Sequence, residues 1–388
     1  MLSKCPICEG QSNAPIYQAI DFPIFSIIPA NEPITRDHFG SLEIVRCLDC
    51  MHMFNRGFDA GIVERMYRDF ALTNVPVNGM ISKILEDVVT WIGPSNYECK
   101  RVLDVGGGSG HLARLLAKKA AVVTILEPSR SLDKADFSES NIDVLNSTLD
   151  SASSLDCADL VVCRQVLEHV PDPYKMLRQL RNRLTQDGKL YLEVPRAEFI
   201  EEHSALSDLH YAHVQYFHEE NLLALTKKAG FELIRLWRPI NDHEIGLLLK
   251  PINKGVSLDD WEVPCISHDL HLALIEWKKE FGSVIASTSG ETLLYGASWH
   301  AVAFLSNFGL SAAFTAALDD NELLHKGILY SLKHRIDVCV PSKEILDSAN
   351  VVVLTAYLHQ RNIRNRLTQL GYKGTVITPQ PNGFDPCK

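Results

Sequence analysis

Residues 102–116 constrain the fold of this chain more than any other stretch. They read VLDVGGGSGHLARLL: an apolar run containing one acid, a group of glycines, and apolar residues at helical spacing. A strand, a glycine turn and a helix in this order are typical of a nucleotide-binding turn, where glycines allow positive φ and a close approach of the backbone to a ligand. The stretch therefore predicts a doubly wound α/β domain.

The spacing of the glycines narrows the choice of ligand. A dinucleotide-binding turn reads G-x-G-x-x-G, but His111 occupies the third place after Gly106 and Gly108. The pattern that fits is D-x-G-x-G-x-G, with Asp104 at its start and Gly110 at its end. This spacing disfavours a nicotinamide oxidoreductase.

A second acid, Glu127, follows the next predicted strand in VVTILEPS. At that place a carboxylate can accept hydrogen bonds from both hydroxyls of a ribose. The glycine turn and Glu127 together predict a nucleoside ligand without a pyrophosphate, in which a ribose and an amino-acid tail must be held.

Strands and helices alternate through residues 80–250. The predicted strands are 101–105, 122–126, 159–163, 189–194, 231–237 and 243–250, and the predicted helices are 81–91, 110–118, 173–184 and 219–229. Short connections between alternating strands and helices imply a parallel sheet covered on both faces. Only RPIND separates the last two strands, which is too short for a crossover helix, so we expect them to pair antiparallel.

This combination resembles the class I S-adenosylmethionine (SAM) methyltransferases. The glycine turn resembles their first motif, Glu127 their ribose-binding acid, and VVCRQVLEHVPDP the segment after their fourth strand, and the terminal hairpin agrees with their fold. The resemblance implies SAM as cofactor, bound by Asp104, Gly106, Gly108, Gly110, Glu127 and Gln165. The competing interpretation is a nucleotide-binding α/β domain of another kind.

Two matched cysteine pairs lie near the N-terminus, Cys5 with Cys8 and Cys47 with Cys50. Each C-x-x-C gap lets both thiolates face one ion, and four thiolates suit a tetrahedral Zn²⁺ with no open position for water. We therefore predict a structural zinc site. The alternatives are a redox pair, which would be expected in a βαβ context, and unliganded core cysteines.

The C-terminal part alternates again and predicts a second Rossmann-like unit. The order of the three parts resembles the nucleotide-sugar C-methyltransferases, which join a zinc domain, a SAM domain and a C-terminal Rossmann-like domain. FPIFSIIPA between the cysteine pairs and the run YGAS, then DDNELLHKG, carry this narrower resemblance. The expected domains are residues 1–58, 75–250 and 265–388.

A cluster of histidine and tyrosine after the predicted strand 189–194, HYAHVQYFHEEN, is the candidate catalytic segment. Attack by carbon on a methyl donor requires a general base, because a proton beside a ketone must leave first. Histidine exchanges protons near neutral pH. The predicted catalytic residues are His213 as the favoured base, with His169, Tyr211, His210 and Tyr67.

The same segment departs from the narrower family, which has Tyr-x-Glu-His where this chain reads His210-Tyr211-Ala212-His213. The glutamate place is therefore held by Ala212. Three functions stay open: C-methylation of a nucleotide-linked keto-sugar through an enolate, O- or N-methylation of another small metabolite by the same architecture, and a non-catalytic binding protein with a methyltransferase fold.

The charge balance and the apolar runs bear on partners and location. The chain has 48 acidic and 38 basic residues, a net charge of −10, whereas nucleic-acid binders usually present a basic face. The first residues, MLSKCPICEG, contain no apolar stretch fit for a signal peptide, and no apolar run is long enough to span a bilayer. We expect a cytoplasmic protein that binds a small-molecule acceptor, a nucleoside-diphosphate sugar among the candidates, and neither nucleic acid nor membrane.

Overall fold

The structure is a computed structural model of the chain, and it describes residues 2–59, 61–62, 79–128, 132–152, 155–252, 275, 279, 283, 290–309 and 311–379. These residues form three β-sheets, each built mainly from one part of the chain. Strands β1–β4 lie in the N-terminal part: Asn13–Pro23, Ile28–Pro29, Phe39–Cys47 and Met53–Asn55. Strands β5–β9 follow: Arg101–Val105, Val122–Leu126, Ile142–Leu145, Ala158–Arg164 and Leu184–Pro195.

The remaining strands complete the central sheet and build the third. Strands β10–β12 are Gln215–Tyr216, Phe231–Trp237 and Glu244–Pro251, and strands β13–β18 are Glu291–Tyr295, Ala316–Leu318, Gly327–Tyr330, Arg335–Cys339, Ala349–Leu354 and Thr375–Ile377. Helices α1–α8 are Gly79–Ile92, His111–Ala117, Pro173–Asn182, Ala197–His203, Glu219–Lys228, Trp299–Phe308, Lys343–Ser348 and Gln360–Gln369. Leu270, Leu274, Trp277 and Phe281 repeat at helical spacing and so predict a helix, but residues 270–281 lie almost wholly outside the described residues.

The central sheet has the order β7-β6-β5-β8-β9-β12-β11. Strands β5 to β9 run parallel, and β12 pairs antiparallel with both β9 and β11. This confirms the doubly wound sheet and the antiparallel terminal hairpin. The strand β7 was not predicted from the sequence, because four residues of mixed polarity give no clear period. From β5 the sheet extends through β6 and β7 to one side and through β8 and β9 to the other. The order of the strands therefore reverses between β5 and β8, and this places a crevice at their carboxyl ends.

The N-terminal sheet is small and antiparallel, in the order β1-β3-β4-β10. Its last strand, Gln215–Tyr216, comes from a distant part of the chain and pairs with Met53 and Phe54. The side chain of Gln215 also bonds His52, with 2.8 Å between Oε1 and Nε2. The N-terminal sheet is therefore completed by the segment that follows the fifth strand of the central sheet.

The third sheet has the order β18-β17-β13-β14-β16-β15-β2. Its first five strands are parallel, as expected for a second α/β unit, whereas β15 pairs antiparallel with β16. The outer position is taken by Ile28–Pro29, which pairs with Gly327 and Ile328. One hydrophobic core accordingly runs from Phe22 and Ile24 to Phe304 and Ile328. Among the helices that the structure describes, none combines the length and apolar composition that a bilayer span requires.

Candidate functional site

The glycine turn connects β5 to α2 at the crevice of the central sheet, and its glycines serve different purposes. A Cβ on Gly106 would lie 2.4 Å from Val166, and one on Gly110 would lie 2.4 Å from Phe137. These two glycines allow close packing. Gly108 has φ of 55° and a Cβ there would meet nothing within 4 Å. Gly108 therefore presents backbone to open space that a side chain would enter.

Glu127 lies directly beside this open backbone. It follows β6, is 6% exposed, and its Oε2 accepts a hydrogen bond from the Gly108 N–H at 3.0 Å. The carboxylate thus sits at the mouth of the turn, at the end of the strand next to β5. This is the placement that the sequence predicted for a ribose-binding acid.

Asp104 lies beneath the turn and is 2% exposed. Within the described residues its Oδ2 has no hydrogen-bond partner. Burial, and then the charge of Glu127, raise the pKa of Asp104 to about 7, while Arg164 acts in the opposite direction. A buried carboxyl oxygen with no donor is costly, so the site is suited to receive a cationic or hydrogen-bonding group.

Gln165, the remaining predicted cofactor residue, has φ of 56° immediately after β8. Its Nε2 donates to Glu244 Oε2 at 2.7 Å, and its backbone N–H donates to the Glu193 carbonyl at 2.9 Å. The side-chain amide is therefore bound to the strand β12, and the unusual backbone conformation directs the following residues over the glycine turn.

Three of the predicted catalytic histidines come together beside the crevice. His169 belongs to the short helix Leu167–His169 after β8, and its Nδ1 lies 2.7 Å from the Ala212 carbonyl. The rings of His169 and His213 are 5.0 Å apart, and those of His210 and His213 are 3.8 Å apart. Burial lowers the pKa of all three imidazoles, and those of His210 and His213 fall well below the usual value. They are neutral at pH 7.

The third sheet contributes one wall to this cluster. Trp299, at the start of α6, stacks on His210 with ring centroids 4.9 Å apart and planes 13° apart. Residues from the central sheet, from the segment 210–213 and from α6 thus surround the histidines. A ligand in contact with His210 would be enclosed from the side of the third sheet.

The two predicted tyrosines are placed differently. Tyr211 is buried against the N-terminal part, where it stacks on Phe58 at 6.3 Å and its hydroxyl accepts a hydrogen bond from the Asp59 N–H at 3.2 Å. A Cβ on Gly40 would lie 2.5 Å from its ring. These contacts are those of a packing residue. Tyr67 lies outside the described residues.

Sequence reasoning missed a buried ionic network next to the histidines. Asp208 binds His300 Nε2 at 2.9 Å and the Tyr357 hydroxyl at 3.0 Å, and it lies 3.5 Å from His243 Nε2. His243 Nδ1 in turn lies 2.9 Å from Glu244. The only sequence signal was two ionisable residues, His243 and Glu244, at the start of an apolar strand.

The charges of this network are fixed by its geometry. Burial opposes ionisation of Asp208, but His243 and the hydrogen bonds from His243 and His300 outweigh it and lower the pKa of Asp208. Burial likewise disfavours the His243 imidazolium, but Asp208 and Glu244 raise its pKa to about 10. Asp208 and His243 are therefore an ionised pair within the central part of the chain, and Asp208 connects that pair to the third sheet through His300 and Tyr357.

The four cysteines of the N-terminal part converge as the sequence predicted. Their sulfur atoms lie within 4.8 Å of one another, with Cys5 to Cys50 at 3.6 Å and Cys8 to Cys47 at 3.5 Å. A tetrahedral Zn²⁺ with Zn–S bonds of about 2.3 Å would hold its sulfurs roughly 3.8 Å apart. The donor set and the spacing fit such an ion.

The turn that follows β13 in the third sheet, residues 296–298, contains a single glycine and is occupied by other groups of the protein. The Asp319 carboxylate accepts hydrogen bonds from the N–H groups of Ala297 and Asn321, at 2.7 and 2.9 Å. A Cβ on Gly296 would meet Ala356 at 2.8 Å. The N–H group of Ala297, in the turn, is therefore already bound to a carboxylate.

Residues 79–236 match a family model described as "Methyltransferase domain". The central segment, less than half of the chain, is therefore a methyltransferase domain. The chain is 31% identical over 129 residues to the "Ubiquinone biosynthesis O-methyltransferase" of Coxiella burnetii. The matched region covers 32% of this chain and 53% of that protein. The protein of the same description from Vibrio campbellii is 34% identical over 99 residues, covering 24% of this chain and 42% of that protein. The chain thus spans about half the length of the curated relatives it matches.

Solved structures with similar folds include an S-adenosylmethionine-dependent methyltransferase from Clostridium acetobutylicum. It is 12% identical, covers 44% of this chain and 92% of that chain, and has a TM-score of 0.38. A TM-score this low carries no inference about ligand or activity.

Proposed function

We propose that this protein is a SAM-dependent methyltransferase whose cofactor binds at the carboxyl ends of β5 and β6. The observation that carries the proposal is a difference among the glycines of the turn. Side chains of the protein pack against Gly106 and Gly110, whereas Gly108 faces open space beside Glu127. The methyltransferase-domain match over residues 79–236 supports it independently.

The residues present fit the cofactor in charge and in shape. Glu127 would bind the ribose hydroxyls, and the open backbone at Gly108 leaves room for the nucleoside. The unsatisfied Oδ2 of Asp104 suits the ammonium of the amino-acid tail. When bound, SAM supplies an electrophilic methyl group, so that the acceptor atom gains a bond to carbon as the carbon–sulfur bond breaks.

The chain's own contribution to the reaction is to bind the acceptor and to take its proton. His210 and His213 are buried and neutral, so each has a nitrogen lone pair available at pH 7. The enclosing contact of Trp299 on His210 keeps water from this side of the cluster. Proton transfer to a positioned imidazole is a standard component of such a reaction.

For the acceptor we favour a hydroxyl oxygen of a small molecule. The relatives described as O-methyltransferases match this chain at 31–34% identity. Ala212 also stands where a carbon-methylating enzyme of the resembling family has a glutamate, and its backbone carbonyl lies 2.7 Å from His169 Nδ1. Removing a proton from a hydroxyl requires a weaker base than removing one from carbon.

C-methylation of a nucleotide-linked keto-sugar is the second candidate. The order of a cysteine-rich part, a methyltransferase domain and a second α/β sheet supports it, as does the wall that Trp299 forms beside the histidines. Incubation of a keto-sugar nucleotide with the protein in heavy water, without SAM, separates the two. Deuterium entering beside the ketone would favour carbon as the acceptor, and its absence would favour oxygen.

We also propose that the four thiolates bind a structural Zn²⁺. Four sulfur ligands complete a tetrahedral shell and leave no position for a substrate. The site stabilises the N-terminal part against the methyltransferase domain, since Asn221 of α5 donates to the Cys50 carbonyl at 2.9 Å.

The first experiment is calorimetric titration of the zinc-loaded protein with SAM and with its demethylated product. We expect saturable binding of both at one site per chain. If neither binds, the assignment of the glycine turn is refuted, and the methyltransferase proposal with it.

A further inference from the structure

A second group of metal-binding side chains lies beside the candidate active site, separate from the four cysteines. Glu168 and His169 come from the short helix after β8, and His213 from the segment before β10. Ligand atoms from these three side chains lie within 4.8 Å of one another. The backbone holds the two elements together, because the Val214 N–H donates to the Glu168 carbonyl at 2.8 Å.

Of the three side chains, the buried carboxylate of Glu168 would gain most from a bound cation. Its side chain is 1% exposed, and within the described part of the chain neither carboxylate oxygen has a hydrogen-bond partner. A buried carboxylate without donors is strongly destabilising unless a cation balances it. His169 does not serve as that partner, because its Nε2 lies 3.8 Å from Glu168 Oε1, beyond hydrogen-bond distance.

His169 is oriented as a metal-ligating histidine is. A carbonyl oxygen only accepts, so the Nδ1 that lies 2.7 Å from the Ala212 carbonyl carries the hydrogen. The lone pair of the neutral ring is then on Nε2, which is the nitrogen near Glu168. Metal-bound histidines commonly donate their other ring N–H to a backbone carbonyl in this way.

We propose that Glu168, His169 and His213 bind a divalent transition-metal ion, with an open coordination position for an oxygen atom of the acceptor. Two imidazoles and one carboxylate form the donor set of catalytic zinc and of non-haem iron sites, which leave such positions free. The role of the ion rests on the proposed methyltransferase function, whereas the binding site itself does not.

This assignment divides the histidine cluster by role. His213 becomes a ligand and not the base. An acceptor hydroxyl bound to the cation loses its proton more readily. The O–H bond breaks, the electron pair stays on the metal-bound oxygen, and the proton passes to His210, whose buried Nδ1 has no hydrogen-bond partner among the described residues.

Titration of the zinc-loaded protein with Co²⁺ tests the site. We expect one Co²⁺ per chain beyond the zinc bound by cysteine, with an absorption spectrum that lacks thiolate-to-cobalt charge transfer. Glu168→Gln and His213→Gln should each weaken this binding at least tenfold. The matched controls Glu322→Gln and His334→Gln, at exposed positions, should bind Co²⁺ as the wild type does.

Each outcome separates the two proposals. If the wild-type protein binds SAM but takes up no additional Co²⁺, the metal site is refuted and the methyltransferase proposal stands. If Co²⁺ binds equally to Glu168→Gln and His213→Gln, the ligands are misassigned and the proposal is overturned. If Co²⁺ binds as expected but SAM does not, the metal site stands alone. Where a variant fails to fold, the titration of the wild-type protein still shows whether an additional Co²⁺ binds.

Discussion

Asp208 and His243 form a buried ion pair, with 3.5 Å between Oδ2 and Nε2, beside the first residue of β12 in the central sheet. Through His300 and Tyr357 the same carboxylate contacts α6 and the short helix after β17, both in the third sheet's part of the chain. The cluster of His169, His210 and His213 lies next to this pair. The charges of Asp208 and His243 therefore help to position the cluster, although the proposed reaction does not use them.

Replacing Asp208 with Asn should lower the free energy of unfolding by about 3–5 kcal/mol, because it leaves the His243 charge buried with a single carboxylate partner. Chemical denaturation of the zinc-loaded protein at pH 7 measures the change. The control is Asp156→Asn, which breaks an exposed pair with Arg101 at 77% side-chain exposure and should cost no more than about 1 kcal/mol. Equal effects of the two variants would contradict a special role for Asp208.

Gly108→Val should abolish SAM binding in calorimetry, because the side chain would enter the open space beside Glu127. Gly309→Val is the matched control: Gly309 also has positive φ, 68°, and open space around its Cβ, but it lies at the end of α6. Both variants carry comparable backbone strain. Loss of SAM binding in both would point to strain and not to an occupied pocket.

Glu127→Ala should weaken SAM binding by about 1.5–3 kcal/mol, the range for a lost charged hydrogen bond. Glu127 also accepts from the Gly108 N–H, so collapse of the turn is a second route to weaker binding. Glu127→Gln retains an oxygen acceptor for Gly108 and separates the two routes. Full affinity in the Gln variant would show that the carboxylate charge is not needed for the ribose.

The affinity for SAM should fall as the pH drops below about 7, the value to which burial raises the pKa of Asp104. The ionised carboxylate attracts the ammonium of the cofactor, and protonation removes that charge. Far enough below the pKa, each pH unit should reduce affinity by up to about tenfold. Calorimetry from about pH 5.5 to 7.5 measures the trend, and Asp104→Asn should flatten it. A slope that persists in Asp104→Asn would assign the titration to another group.

Cys8→Ser should release zinc and lower the melting temperature, because three thiolates no longer complete the tetrahedral shell. Metal analysis of the purified protein gives the direct measurement. Cys157→Ser, at an exposed cysteine outside the cluster, should retain a full equivalent of zinc. A normal zinc content in Cys8→Ser would contradict the four-thiolate site.

The sequence alone predicted those elements whose pattern is local. The bounds of β5, β6 and β11 agree with the structure residue for residue, because each is an apolar run between clear turn signals. The convergence of Asp104, Gly108 and Glu127 also follows from the sequence, since the carboxyl ends of adjacent parallel strands meet at one edge of a sheet.

The features that sequence reasoning missed depend on distant partners. The strands Ile28–Pro29 and Gln215–Tyr216 have two residues each, too few to show any period, and only their neighbours in space make them strands. Asp208 reads as an ordinary loop acid until His243 and His300 surround it. The sequence placed Glu168 after a strand of the central sheet, but its burial beside His213 depends on a residue that is distant in the chain.

The pairing of Gln215–Tyr216 with β4 also bears on how the chain acquires its shape during synthesis. The first sheet lacks its outer strand until residue 216 has left the ribosome, by which time most of the central sheet has also emerged. The cysteine-rich part is therefore expected to mature together with the methyltransferase domain and not ahead of it, despite being translated first.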